Sequence, residues 1–201
     1  MTSLDAGVIY QTSDGTFLMN PSAERILGAT VQQLRGLEPL PPGRLLVDVS
    51  GNPFRDEYLP ARLALHTGIV QTGVVMGIRH ADDSTTWILV NSRPIFRAGT
   101  GAGAGTATDT PYAAVTSFTD ITSLRESDER YRVAMENSLD AMQMLRTVRD
   151  VAGNVIDFEF VDINAPAGEF LGAERKLILG TRVSELFPRF FETDFFARSV
   201  Q

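Results

Sequence analysis

Asn20-Pro21-Ser22-Ala23-Glu24-Arg25-Ile26-Leu27-Gly28 reads as a short helix complete in itself. Asn20 offers a side-chain oxygen to the first free amides, Pro21 loses nothing at the first helical position, and Gly28 ends the helix. Ala23, Ile26 and Leu27 form its buried stripe. The signature returns at an offset of 144: Asn20, Ala23, Leu27, Gly28 and Gly36 recur as Asn164, Ala167, Leu171, Gly172 and Gly180. Five coincidences at cap, stripe and helix end identify an internal repeat. Upstream, Leu4-Asp5-Ala6 recurs as Leu139-Asp140-Ala141 at an offset of 135, so the second copy is expected to carry nine extra residues in its first hairpin.

Working outward through the first copy, residues 6–10 and 16–19 flank Ser13-Asp14-Gly15 as the strands of a hairpin. Residues 31–34 make a second short turn of helix, closed by Gly36. A Pro-rich stretch, 37–42, and a turn at Ser50-Gly51-Asn52-Pro53 lead to a helix over 60–67, with Gly68 past its end. Two long strands follow, 70–79 and 85–96, joined by the polar connection Ala81-Asp82-Asp83-Ser84; Pro94 implies an edge or a bulge. Residues 98–110 alternate glycine with small residues. Neither Gly-x-Gly-x-x-Gly nor a P-loop lysine is present, and the stretch leads into a strand, 112–118, so it reads as a flexible hairpin loop.

Thr119-Asp120-Ile121-Thr122 comes next. Asp120 or Thr122 can cap a helix running to about Leu139, and Ser123-x-x-Glu126 has the spacing of a capping box. With Ile121 at position a, Leu124, Tyr131 and Met135 fall on an a/d seam that Asp128 interrupts. Two readings stand: an amphipathic helix lying on its own domain, or a short parallel coiled coil between two protomers. In the second copy Asp150 to Asn154 makes a turn, and 155–163 alternates apolar and acidic residues as a strand exposed on one face. Nothing after Gly180 matches strands 70–79, 85–96 and 112–118, while Phe187, Phe190, Phe191, Phe195 and Phe196 crowd the tail. Either the remainder of the second copy buries these rings, or they dock on the first module or another protomer. The expected partition is a complete domain over 1–121, a connecting helix over 122–139, and the N-terminal part of a second, truncated domain over 140–201.

Composition narrows function. The 201 residues are 43% hydrophobic and 21% charged, with a net charge of −7, as in an ordinary globular chain with no basic face for nucleic acid or for an anionic membrane. Cysteine is absent, which excludes disulfides, thiolate metal sites and thiol-adduct chemistry. Met1-Thr2-Ser3-Leu4-Asp5 lacks a signal-peptide pattern, and no apolar run reaches spanning length, so the expected location is the cytoplasm. Lys176 is the single lysine; such arginine bias is typical of GC-rich bacterial genomes.

In order and spacing, Asn20-Pro21-x-Ala23-Glu24-x-x-Leu27-Gly28, Gly36, Leu59-Pro60-Ala61, Thr67-Gly68, Trp87, Pro94-Ile95 and Asp120-Ile121-Thr122 resemble the PAS family. The resemblance covers residues 4–121 as a whole domain and 125–201 as the front of another. It implies an α+β fold: a five-stranded antiparallel sheet in the order 2-1-5-4-3 with helices on one face, plus a partial second copy. It also implies the input region of a bacterial signalling protein that senses a small molecule and relays a change through the exiting helix. Asp120, Ile121 and Thr122 would be the signal junction, and Leu124, Tyr131 and Met135 the dimer helix. Outputs joined to such regions include diguanylate cyclases, cyclic-di-GMP phosphodiesterases and histidine kinases; no output motif occurs in these residues, so no enzymatic activity is expected of them. The alternative is a ligand-free dimerisation or interaction module.

The cofactor is open. A flavin–thiol adduct is excluded by the absence of cysteine, and haem is disfavoured because His66, directly before Thr67-Gly68, lies late on its helix, where an imidazolium suits the helix dipole. His80 beside Asp82-Asp83 reads as a solvated residue able to pair with a carboxylate. Period-two alternation puts Trp87, Leu89 and Asn91 on one strand face and Ile88, Val90 and Ser92 on the other. A ligand pocket is expected around Tyr10, Met19, Met76, Trp87, Asn91 and Ser117, against the plainer reading that Met and Trp fill core. Asp82-Asp83, Asp56 and Glu57 read as turn and surface acids rather than catalytic ones, and no metal-ligand spacing is present.

Overall fold

A computed structural model describes residues 6–39, 43–97 and 110–189. The chain divides into two compact units, 1–126 and 127–201.

In the first unit the hairpin forms as read, with β1 (Gly7–Thr12) paired antiparallel to β2 (Phe17–Met19). Asn20 then caps α1 (Pro21–Leu27), its Oδ1 accepting from the Ala23 amide at 2.8 Å, and Gly28 ends it in the left-handed region at φ 61°. A capping box between Thr30 and Gln33 starts α2 (Val31–Leu34). β3 (Leu45–Val47), a 3-10 turn over Asp56–Tyr58 and α3 (Pro60–Thr67) come next. The sheet is completed by β4 (Gln71–Arg79), β5 (Thr85–Ile95) and β6 (Ala113–Asp120).

The six strands run in the order β2-β1-β6-β5-β4-β3. Without β3 this is the expected 2-1-5-4-3 arrangement; β3 is an added edge strand that the sequence pattern does not reveal. Gly77 admits it: Val47 pairs with Gly77, and a Cβ there would stand 2.8 Å from Val47 Cγ2. Pro94 sits beyond the last residue of β5 that pairs with β4, as a residue without an amide proton requires. One sheet face packs on the helices through Ala23, Ile26, Leu27, Met76, Ile78, Ile88, Val90 and Phe118. Burial of such side chains contributes on the order of 2 kcal/mol each. The glycine-rich loop lies outside the described residues, apart from Thr110.

The second unit pairs β7 (Gln143–Arg149) with β8 (Val155–Ile163), followed by α5 (Ala165–Leu171), α6 (Arg175–Ile178) and α7 (Val183–Leu186). Its core is Phe158, Phe160, Ile163, Ala167, Ile178 and Val183. The expected alternation along β8 fails twice. Ile156 and Val161 fall at register shifts with no partner on β7, and these two apolar residues are the exposed ones. Asp157, expected on the solvent face, is buried and accepts from Ser184 Oγ at 2.5 Å, tying α7 to the strand. Phe187 is exposed; Phe190, Phe191, Phe195 and Phe196 lie outside the described residues.

The repeat is one device built twice. Asn20 Oδ1 also accepts from the Val8 amide at 2.9 Å while its Nδ2 donates to the Ala6 carbonyl at 3.0 Å, clamping the helix start to the first strand. Asn164 caps Ala167 at 3.0 Å, accepts from Met142 at 2.9 Å and donates to the Asp140 carbonyl at 2.8 Å. Val8 therefore corresponds to Met142 and Ala6 to Asp140. The clamp spans 12 residues in one unit and 22 in the other, so the second hairpin is longer by ten, not nine.

Candidate functional site: a cavity and an exit helix on one sheet

Between the helices and the inner face of the first unit's sheet lies a half-open cavity of about 380 Å³, within the size range of small-molecule sites. The sheet contributes Ile9, Gln11, Phe17, Leu46, Met76, Ile88, Val90, Thr116 and Phe118; the helical side contributes Leu27, Leu34, Asp56, Leu59, Pro60, Ala61 and Arg62; Arg44 reaches in from just before β3. The lining is mainly apolar. Thr116 bonds the buried Ser92 hydroxyl at 2.8 Å, and Asp56 pairs with Arg62 at 3.5 Å.

Of the six residues expected to line a pocket, Met76 does. Met19 packs against the same core without lining the cavity. Tyr10, Trp87, Asn91 and Ser117 are on the opposite sheet face, because Ile9, Ile88, Val90, Thr116 and Phe118 take the inner positions and side chains alternate. Their roles there are visible. Asn91 Oδ1 accepts from the Gly73 amide at 2.9 Å, where the register between β4 and β5 shifts and Gly73 has φ 68°. Burial first, then the neighbouring Tyr112, pushes the Tyr10 phenol above its ordinary value, and Arg97 lies over the Tyr112 ring at 5.5 Å. Of the polar lining residues, Arg44, Gln11, Thr116 and Arg62 are not marked as site residues by the sequence, and Asp56 reads there as a surface acid. Period two singles out Thr116 once Phe118 is placed inside; no local pattern marks Arg44.

The junction lies on the same strands. β6 ends at Asp120, whose Oδ1 accepts from the Thr122 amide at 2.8 Å and from its hydroxyl at 2.6 Å. Thr122 Oγ1 in turn accepts from the Trp87 amide at 2.9 Å, and the Ile121 amide donates to the Trp87 carbonyl at 2.8 Å. The Arg125 guanidinium stacks over the Trp87 ring, 4.3 Å from its centroid. Both backbone groups of Trp87 thus hold the start of α4 (Thr122–Asn137). Asp120, one of the two caps expected, accepts from the first amide of the helix, and the helix stops two residues short of Leu139. Along it Leu124 is 68% exposed, Tyr131 is half-buried with its hydroxyl 4.0 Å from Met144 Sδ, and Met135 is buried. The expected seam is therefore not a single exposed stripe.

His66 is exposed in the last turn of α3 and does not line the cavity. His80 Nε2 lies 2.9 Å from the Thr86 hydroxyl, and His80 is the last of the groups that hold the Asp82 carboxyl below its ordinary value, after the Ser84 hydrogen bonds. Among the described residues no His, Asp and Glu cluster is arranged for a metal ion, and no helix is long and apolar enough to cross a membrane.

A curled antiparallel sheet, helices over one face and a helix latched to its central strands place the first unit in the α+β class. A family model for the PAS domain matches residues 5–123 and 151–199, and the chain belongs to the PAS domain family. Among solved structures, a sensory box histidine kinase/response regulator from Burkholderia thailandensis E264 aligns with a TM-score of 0.40 and 14% identity, over 65% of this chain and 87% of that one. No curated protein matches the chain.

Proposed function

We propose that residues 1–121 form a small-molecule sensor that reports through the Asp120-Ile121-Thr122 junction and α4 (Thr122–Asn137), with 140–201 as the front of a second sensory copy. The observation that carries this reading is the double duty of β5. Ile88 and Val90 line the cavity, while Trp87, one residue away, holds the start of α4 by both backbone groups and by its ring. A ligand that displaces Ile88 has Trp87 as its next covalent neighbour, and β6 joins Phe118 in the cavity wall to Asp120 at the junction. The relay needs no longer path than that.

In this reading the protein is a cytoplasmic bacterial input region serving an output of the cyclic-di-GMP or histidine-kinase type, acting as a homodimer. Native mass spectrometry of the full chain, before and after unfolding, tests it. A mass excess that vanishes on unfolding, and is lost in Leu34→Trp, which fills the cavity, is the expected result. An apo mass in a dimer would overturn the sensor and leave the interaction module, which the exposed Leu124 favours.

A further inference from the structure

The cavity holds one unmet electrostatic demand. Arg44 Nη1 is shut off from solvent and has no hydrogen-bond partner, although a guanidinium carries five donors and stays charged. Buried charges in folded proteins are ordinarily paired, so a cavity-lining arginine with an unpaired guanidinium nitrogen marks where a ligand's acceptor belongs. Loss of hydration already lowers the Arg44 pKa from its ordinary value. The one acid in the lining, Asp56, is engaged by Arg62, leaving the lining with two arginines against one aspartate. Away from Arg44 the walls are mainly apolar, with Phe17, Leu27, Met76 and Val90 among the lining residues.

Resting on the sensor reading above, we propose that this cavity takes an amphiphilic monocarboxylate, its carboxylate on Arg44 and its hydrocarbon body against the apolar walls. A planar carboxylate matches the guanidinium fork. A phosphate dianion would bring a second charge into a mainly apolar site. A cavity of about 380 Å³ suits a ligand of roughly ten to fifteen non-hydrogen atoms.

Isothermal titration of the full chain with octanoate, 1-octanol and octyl phosphate tests this. Octanoate should bind at least about tenfold more tightly than either of the others, and Arg44→Met should erase its advantage over octanol while leaving octanol binding unchanged. Leu34→Trp, which keeps Arg44 and fills the cavity, should abolish binding of all three, so the result does not depend on the Arg44 variant alone. Equal binding of octanoate and octanol, or octanoate binding indifferent to Arg44→Met, overturns the carboxylate while keeping a ligand cavity. Preference for octyl phosphate overturns it in favour of a phosphate headgroup. If no probe binds, the carboxylate proposal fails, and the sensor reading stands or falls separately on whether the purified protein carries a native mass excess.

Discussion

Replacing Thr122 with valine keeps the shape of the side chain and removes two hydrogen bonds. The Trp87 amide loses the acceptor it holds at 2.9 Å, and Asp120 loses the hydroxyl donor at 2.6 Å. Trp87 is half-buried, so its orphaned amide regains water only in part and costs about 1–2 kcal/mol; the exposed Asp120 contact adds about 0.5 kcal/mol. A total near 2 kcal/mol corresponds to a roughly thirtyfold rise in local opening. The readout is hydrogen exchange at two amides whose bonds report the first turn of α4: Ile121, bonded to the Trp87 carbonyl, and Arg125, bonded to the Ile121 carbonyl. Both should exchange about thirtyfold faster in Thr122→Val, with amides of α3 unchanged, and Thr122→Ser should restore protection to within about threefold. Exchange at Ile121 and Arg125 within about twofold of the parent would refute the idea that this hydroxyl latches the exit helix to the sheet.

The asparagine clamps predict an ordered pair of losses. Asn20→Ala removes three hydrogen bonds, about 2–3 kcal/mol, from the first unit; Asn164→Ala removes four, the fourth to the Met135 carbonyl at 3.0 Å, from a side chain 1% exposed, about 3–4 kcal/mol from the second. Exchange protection resolved by unit checks the order, and a larger loss from Asn20→Ala contradicts it. Turn carboxylates set an acid limit. Asp48 and Asp150 are held below the ordinary aspartate value, Asp48 first by the Asn52 backbone amide and Asp150 first by the Asn154 side chain. A depressed folded-state pKa stabilises above the unfolded value near 3.9 and is lost as pH falls through the folded value. Carboxyl-carbon NMR titration should place both midpoints below about 3.9, with the turns loosening only beneath that pH; midpoints above about 4 would contradict the hydrogen-bonded turns.

Local chemistry explains which parts of this fold were legible in the sequence. Asn20, Pro21 and Gly28 act within nine consecutive residues, and their geometry matches the reading term by term. The capping geometry between Asp120 and Thr122 was equally legible, since the two residues are neighbours but one in sequence. Edge strand β3 escaped because three residues carry too little pattern, and what admits it, the bare Gly77, is 30 positions away. The pocket residues failed on a single parity choice. Trp87, Asn91 and Ser117 share a face, but which face the helices cover is decided by Ala23, Ile26 and Leu27 arriving from elsewhere in the chain. Arg44 was illegible for the deeper reason that a cavity is a property of several distant segments at once. The exposed Ile156 and Val161 likewise depend on bulges that only pairing with β7 creates.

The paired asparagines also separate the length of each hairpin from the position of the helix after it. Each clamp closes the base of its hairpin, fastening the entry of the first strand to the entry of the helix, whether 12 or 22 residues lie between. Ten residues have been accommodated beyond the clamp with the same cap, the same strand contacts and the same left-handed glycine at the helix end. The tips at Gly15 and Gly153 are thus free to vary in length, and a reporter peptide or a recognition loop grafted there would leave the helix entry where it is. A fold fastened at its base can change what it displays at its rim without being redesigned.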